Sequence, residues 1–543
     1  MKSRLALLVL TAFALRGAAV PPLKFTADAQ GYIGSKACAV CHGDIAKTYA
    51  LTAMAQASGR AADLHLPDGE VTAAKANVTY TVSWRDTNPQ LQFRKRLPDG
   101  TSIEGAKKLT YYIGSGAHGR GFIFEEQGQP FQSPIAYFGA QRGWDVAPGY
   151  EDETSVFLGR KVESVCLNCH ASGSASSAPA LFAEGAVSCE RCHGPGESHV
   201  SAVQSGKANV SLNILNPSKL APPQRDSVCA QCHLTGETRV LKAGHSEASF
   251  RPGDVLGQHV VPFVWATPDK AELKVVGHFE GLWQSRCKRA SGDKLSCLTC
   301  HDPHSNVPEN EKVSYYRQKC LGCHEQASCK LPAAERKLQG DSCIACHMPK
   351  RASTDGQHTA FTDHAIRRIA GQTPQAGHSQ ELVAFFPADA TERDYALAYA
   401  DQSWQHPDAA AIKQAHDKLQ AVWPQSPRDP AVAAQLAYTC DLLGDHDTAE
   451  ALYLQALRDD PQNLIALTNL GTHRARRGQM KQAIDLWRKA LAINPGLPVP
   501  GLNWARAEQM QGDKQQSLEI VRRVLSLNPD SEAALKLERE LTP

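Results

Sequence analysis

The chain has 543 residues, and no apolar run in it reaches the roughly 18 residues that a membrane-spanning helix needs, so no transmembrane segment is expected. Charge of one sign is also missing: 58 Lys and Arg face 56 Asp and Glu, a formal +2. Without a basic excess the sequence argues against a nucleic-acid partner. Cysteine is nearly absent from the C-terminal third. Sixteen of the 17 cysteines lie between Cys38 and Cys346, and Cys440 is the exception. This asymmetry divides the chain into two chemistries. At 42% hydrophobic residues and a mean hydropathy of −0.36, both parts can bury cores, and the length suits two to four domains.

Lys2 and Arg4 precede an apolar stretch from Leu5 to Leu15, and the small residues Gly17, Ala18 and Ala19 follow. This pattern predicts a secretory signal peptide over residues 1–19, and hence an exported protein, periplasmic or at the cell surface in a bacterium. Eleven apolar residues are too few for an uncleaved spanning anchor.

Export with many cysteines first suggests disulfides, but the spacing points elsewhere. The pattern C-x-x-C-H occurs seven times, with thiol pairs Cys38/Cys41, Cys166/Cys169, Cys189/Cys192, Cys229/Cys232, Cys297/Cys300, Cys320/Cys323 and Cys343/Cys346. The histidines that follow are His42, His170, His193, His233, His301, His324 and His347. Two thiols on one turn reach the two vinyl groups of one haem, and the next residue supplies the proximal iron ligand. The expected cofactor is therefore seven covalently attached haem c. Zinc also takes paired Cys-x-x-Cys with His, but zinc sites do not require His directly after every second cysteine. Cys287, Cys329 and Cys440 are left over. A Cys287–Cys329 disulfide or a Cys287 thiolate ligand both stay open, and Cys440 reads as a small core residue.

Distal ligands must come from other side chains. His199, in Cys192-His-Gly-Pro-Gly-Glu-Ser-His199, and His304, in His301-Asp-Pro-His304, sit on short rigid turns near an attachment site. Each is expected to serve a neighbouring haem. His118 lies among small residues that admit a porphyrin, and His278, His358 and His364 are further candidates. His65, His245, His259 and His378 carry weaker support. Met54, downstream of His42, is either a ligand or a core residue.

Val78, Tyr80, Val82 and Trp84 alternate with polar residues, as do Leu91 and Phe93 before a Pro98-Asp99-Gly100 turn. The period of two predicts an antiparallel β insertion at about 70–140. Beyond residue 393 the period becomes 34: Pro427, Pro461, Pro495 and Pro529 keep that step, as do Gly444, Gly478 and Gly512. Ala449, Ala483 and Ser517 follow it too. This is the tetratricopeptide pattern of paired antiparallel helices, which present a concave face to a protein or peptide. The expected fold is mainly α with a small β insertion: a haem-dominated cytochrome c domain (30–386), repeats (393–528) and a capping helix (529–543).

Several stretches carry a family resemblance: Ile113-Gly-Ser-Gly-Ala-His118, Trp144-Asp-Val-Ala-Pro-Gly-Tyr150, Cys189-Glu-Arg-Cys-His-Gly-Pro-Gly196, Cys297-Leu-Thr-Cys-His-Asp-Pro-His304 and Cys343-Ile-Ala-Cys-His-Met-Pro-Lys350. With them the chain resembles multihaem c-type cytochromes bearing C-terminal tetratricopeptide repeats. Its haem part is similar to the set containing the tetrahaem electron carrier of ammonia oxidisers, hydroxylamine oxidoreductase and octahaem tetrathionate reductase. The resemblance implies closely stacked haems forming a conduit, and cytochromes of this type often pair into homo-oligomers. It leaves three functions: an electron carrier with the repeats docking a redox partner, an oxidoreductase acting on a small nitrogen or sulfur compound at one open haem, or a scaffold stapled by haems. Enzymes of the set depart from C-x-x-C-H at the active haem, whereas all seven motifs here are regular. The carrier is therefore preferred, and no catalytic residue is assigned. Loss of residues 1–19 would remove Lys2, Arg4 and Arg16 and take the formal charge to −1. Haem propionates would make the holoprotein distinctly acidic, which favours a basic redox partner.

Overall fold

The structure, a computed structural model, describes residues 25–85, 88–139, 143–172, 182, 186–206, 213–267, 272–325, 329–356, 358–368 and 381–542. The expected signal peptide and His378 lie outside the described residues. Among the described residues no helix is long and apolar enough to cross a membrane.

Short helices Ser35–Ala39 and Gly43–Tyr49, around the first C-x-x-C-H motif, come first, and a large antiparallel sheet follows. After β1 (Ser58–Arg60) and β2 (Gly69–Ala73), β3 (Val78–Arg85) pairs with β4 (Asn88–Arg96), setting Tyr80 against Phe93 and Val82 against Leu91. The chain reverses at Pro98-Asp99-Gly100, where Gly100 takes φ +87° and Asp99 Oδ1 accepts from Thr101 N–H at 2.9 Å. β5 (Ser102–Ile113), β6 (Gly119–Glu126), β7 (Gln129–Phe138) and β8 (Gly143–Val146) follow, and the strand order is β2-β3-β4-β5-β6-β7-β8, with β1 on β5. Trp144 on β8 reaches back to β2. Its Nε1–H donates to Pro67 O at 2.9 Å, and its ring covers Gly69, where a Cβ would stand 2.1 Å from Cδ1. The sheet thus curls until its two end strands meet, like a barrel.

The β insertion expected to be small is therefore an eight-stranded sheet from Ser58 to Val146. Nor does haem dominate its core. Leu91, Phe122, Phe124, Phe131 and Ile135 fill the inside and are fully buried, each contributing about 1.5–3 kcal/mol. The sequence pattern understates this sheet because register shifts lie between Leu109 and Tyr111 and between Gly121 and Ile123. The first puts one extra residue on β5 and reverses its in–out parity, and the second puts two extra residues on β7, so alternation fades although the strands continue.

Residues between the sheet and the repeats form short helices around the C-x-x-C-H motifs, with β9 (Thr238–Leu241), β10 (Val260–Trp265), a hairpin of β11 (Lys350–Ala352) and β12 (Ala360–Thr362), and β13 (Leu382–Ala384). Order β13-β10-β9 gives a second, three-stranded sheet.

The C-terminal region is a helical solenoid. Helices Glu392–Gln405 and Ala409–Val422, Pro430–Leu442 and His446–Asp459, Leu464–Arg476 and Met480–Ile493, and Pro498–Gln511 and Lys514–Leu527 stack as antiparallel pairs, followed by Glu532–Leu541. Gly444, Gly478 and Gly512 end the first helix of three pairs with φ of +89°, +74° and +92°, the left-handed stop that glycine favours. Cys440 is buried in the apolar core of this array.

Both ends of the solenoid are docked onto the N-terminal part. At its start, Ala396, Leu397 and Ala400 share one apolar cluster with Val240, Val261, Phe263 and Leu382 of the three-stranded sheet. There Lys242 Nζ pairs with the buried Asp394 Oδ2 at 2.6 Å. At its far end, Asp530 Oδ2 accepts from Lys95 Nζ at 2.6 Å and from Val156 N–H at 2.9 Å. Leu158 N–H donates to Leu527 O at 2.8 Å, and the Leu527 side chain enters the core of the large sheet.

Candidate haem sites

Each motif winds into one helical turn. The backbone N–H of His42 donates to Cys38 O at 3.0 Å, His193 to Cys189 O at 3.0 Å, His301 to Cys297 O at 2.9 Å and His324 to Cys320 O at 2.9 Å. A turn of this kind puts the two thiols, three residues apart, on one face beside the imidazole. Local caps start these turns: Ser296 and Thr299 form a capping box, and Ser342 Oγ accepts from Ala345 N–H at 3.2 Å.

The motifs surround a cavity of about 3090 Å³, well above the 300–1,000 Å³ or so of ordinary ligand pockets. Eleven of the fourteen motif cysteines border it, while Cys166, Cys343 and Cys346 are not among its lining residues. His42, His170, His193, His233, His301 and His324 face it, and so do Met54, His118, His199, His278, His304 and His364. His347 and His358 do not line it. His358 Nε2 lies 2.6 Å from Asp145 Oδ2 and its ring meets Phe138 edge-on, joining the segment before β12 to β8.

Thiols of different motifs lie side by side around the cavity. Cys38 interacts with Cys189, Cys169 with Cys232, Cys229 with Cys297 and Cys320 with Cys343. Cys192 is close to Cys229 and Cys232, and Cys300 to Cys323. The first motif therefore adjoins the third, the third the fourth, and the fifth, sixth and seventh follow in line, with the second adjoining the fourth.

The imidazoles cluster, and His278 approaches His364 with centroids 4.9 Å apart as well as His233. His193 and His304 have centroids 5.9 Å apart and planes at 17°. His301 and His364 stand 6.2 Å apart at 33°, and His233 and His278 5.4 Å apart at 88°. Two imidazoles on one metal, with bonds of about 2 Å, have centroids roughly 6 Å apart, the spacing of His193/His304 and His301/His364. Tautomers are set for this. His193 Nδ1 donates to Leu215 O at 2.6 Å, His347 Nδ1 to Arg367 O at 2.6 Å and His364 Nδ1 to Thr362 O at 2.8 Å. A carbonyl can only accept, so Nδ1 is the donor in each and Nε2 is the nitrogen left to face a metal. Burial, with neighbouring imidazoles adding to it, pushes His233 down to about 4 and His278 down to about 3. Burial also lowers His118, His170, His301 and His364. All six are thus neutral at pH 7, the form that binds a metal. His170 Nδ1 and His278 Nδ1 are buried without a hydrogen-bond partner among the described residues. Thiol pairs, neutral imidazoles and an apolar cavity fit haem c, whose iron supplies one-electron chemistry when bound.

Cys287 borders the cavity close to Cys300 and Cys320, whereas Cys329 is exposed, and both thiols are free, so no Cys287–Cys329 disulfide joins them. Residue patterns alone did not single out Glu190 or Asp363. Glu190 accepts from Ile33 N–H (3.0 Å), Gly34 N–H (2.8 Å) and Gly196 N–H (2.8 Å), tying the first motif to the third. Burial alone would raise the Asp363 carboxyl, but bonds from Ala365 N–H and Arg351, with Arg367 beside it, hold it below its usual value. It fixes the loop that carries His364. A charged residue in an otherwise free position of Cys-Glu-Arg-Cys was the available signal for Glu190.

A family model described as cytochrome c554 and c-prime matches residues 150–194, and a tetratricopeptide-repeat model matches residues 432–465. No curated protein matches the chain. Similar solved structures include "Crystal structure of MamA protein", 15% identical over 28% of this chain and 80% of that one with a TM-score of 0.25. "MamA MSR-1 C2" is 20% identical over 28% of this chain and 82% of that one, TM-score 0.24. A third, "Functional Characterization of Pseudomonas Aeruginosa pilF", is 20% identical over 28% and 69%, TM-score 0.25. The two matches put in one chain a segment similar to a c-type cytochrome family, whose type binds haem c covalently and transfers electrons, and a repeat of a protein-interaction type.

Proposed function

We propose that this chain is an exported seven-haem cytochrome that carries or conducts electrons between redox partners, with the tetratricopeptide array docking a partner protein. One haem belongs at each C-x-x-C-H motif, with His193/His304, His301/His364 and His233/His278 as axial pairs. The observation that carries the reading is the unbroken run of neighbouring thiols from the first motif to the seventh. Haems anchored at such thiols lie close enough to pass electrons in sequence. A second reading, an oxidoreductase acting on a small nitrogen or sulfur compound, draws on the exposed His42 at the cavity rim, with Met54 on the same cavity wall.

Pyridine-haemochrome assay and intact mass of the periplasmic protein should give seven haems and a chain lacking residues 1–19. Fewer haems refute the count, and a cytoplasmic full-length chain refutes export. Low-temperature electron paramagnetic resonance should show low-spin iron throughout. A high-spin iron that binds nitrite, hydroxylamine or cyanide would favour the oxidoreductase.

A further inference from the structure

The solenoid carries a set of donor atoms that its repeat does not require. Asp441 lies near the end of helix Pro430–Leu442, His446 opens helix His446–Asp459, and His473 sits in helix Leu464–Arg476. One and two 34-residue steps on, Ala475 and Gln509 replace Asp441, and Met480 and Lys514 replace His446. Thr439 and Ala507 stand where His473 stands in the neighbouring repeats. Helix packing therefore tolerates apolar, amide or cationic side chains at these positions, yet the three residues converge here. Asp441 Oδ1 is 2.9 Å from His446 Nδ1 and 2.8 Å from His473 Nε2, and one donor atom from each residue lies within 4.8 Å of the others.

We infer that Asp441, His446 and His473 bind a divalent transition-metal ion, with zinc the best match, and that the ion clamps the second helix pair to the third. Two imidazole nitrogens and one carboxylate oxygen are a three-ligand zinc set that leaves a fourth position for water. Calcium and magnesium instead take six or more oxygens or keep a shell of water. Tetrahedral zinc, with bonds of about 2.0–2.2 Å, spaces its ligand atoms roughly 3.3 Å apart. The present separations reach that by a small outward turn of His446, whose side chain is 56% exposed, and a small swing of Asp441 Oδ1 away from His473. His473 is buried and serves as the fixed anchor. Tyr453 Oη–H donates to Asp441 Oδ2 at 3.1 Å, holding the carboxylate in place as outer partners of metal ligands do. The nearby cations do not compete for Asp441, since Arg474 and Arg477 pair with Glu450 at 3.0 Å each.

Isothermal titration of the chelator-treated, full-length holoprotein with zinc sulfate tests this. The wild-type protein should bind one zinc more than His446→Ala or His473→Gln, or bind it at least about tenfold more tightly. Zinc should also raise the unfolding temperature of the wild-type repeats and leave the variants unmoved. His446→Ala alters an exposed side chain and keeps the test valid should His473→Gln fail to fold. Equal stoichiometry and affinity in wild type and His446→Ala, or no zinc uptake by the wild type, would overturn the assignment and leave a hydrogen-bonded triad.

Discussion

Glu190 fills the second position of Cys189-Glu-Arg-Cys192, and its side chain is almost fully enclosed. The thioether chemistry of such a motif constrains only the cysteines and the histidine, so a charge placed between them must answer to something else. Here it answers to the backbone N–H groups of Ile33, Gly34 and Gly196, which have come out of water and need an acceptor. Hydrogen bonds to a charged group are worth about 1.5–3 kcal/mol each and do not simply add. Glu190→Ala is therefore expected to cost about 3 kcal/mol, read as a lower urea midpoint of the haem absorbance change. Glu190→Gln keeps an acceptor oxygen and should fall between the two. A loss well under about 1 kcal/mol for the alanine variant would mean that the first motif is held to the third by other contacts.

The two sheet ends meet where Trp144 covers Gly69, and the space beneath the indole admits no side chain. Gly69→Ala pushes a methyl group into the ring, must displace the Nε1–H bond to Pro67 O, and is expected to destabilise by about 1–3 kcal/mol. Gly121→Ala in β6 is the control, because its nearest neighbour would be 3.6 Å away, an ordinary contact. Thermal unfolding followed by tryptophan fluorescence should separate the two, and equal unfolding temperatures would remove Trp144 as the closing element. The sequence reveals this sheet only where its pleat stays regular. From Val78 to Phe93 the side chains alternate and can be read, but further on a bulge flips the parity of β5 and a second irregularity interrupts the pairing of β7, which hides both strands. The C-x-x-C-H motifs lie at the opposite extreme. Their chemistry is local to five residues, so all seven motifs are legible in the linear sequence. The approach of His304 to His193 and of His364 to His301 depends on how distant turns pack, and no local pattern encodes that.

Spacing by 34 residues reveals the solenoid but not that both of its ends are fastened, because the fastening residues, Asp394 and Asp530, are single side chains outside the repeating positions. A solenoid held only at one end would be free to swing, whereas this one is tied to the three-stranded sheet at its start and to the large sheet at its end. The first tie has a pH signature. Burial by itself would raise the Asp394 carboxyl, but bonds from Lys242 and from the Thr391 N–H and hydroxyl outweigh it and hold it below its usual value. A carboxylate with a lowered folded pKa stabilises fully above its unfolded value, about 3.9, and loses that contribution as pH falls through the folded value. Asp394→Asn removes the charge opposite the part-buried Lys242 and should cost about 3 kcal/mol at neutral pH. The difference between wild type and variant should hold steady from about pH 7 to about pH 5 and shrink below about pH 4, where the wild-type carboxyl takes up its proton. Comparing the two proteins at each pH cancels the titration of the buried imidazoles, which is common to both. A difference that stayed constant down to about pH 2, or widened, would show that charge on Asp394 is not what ties the solenoid to the three-stranded sheet.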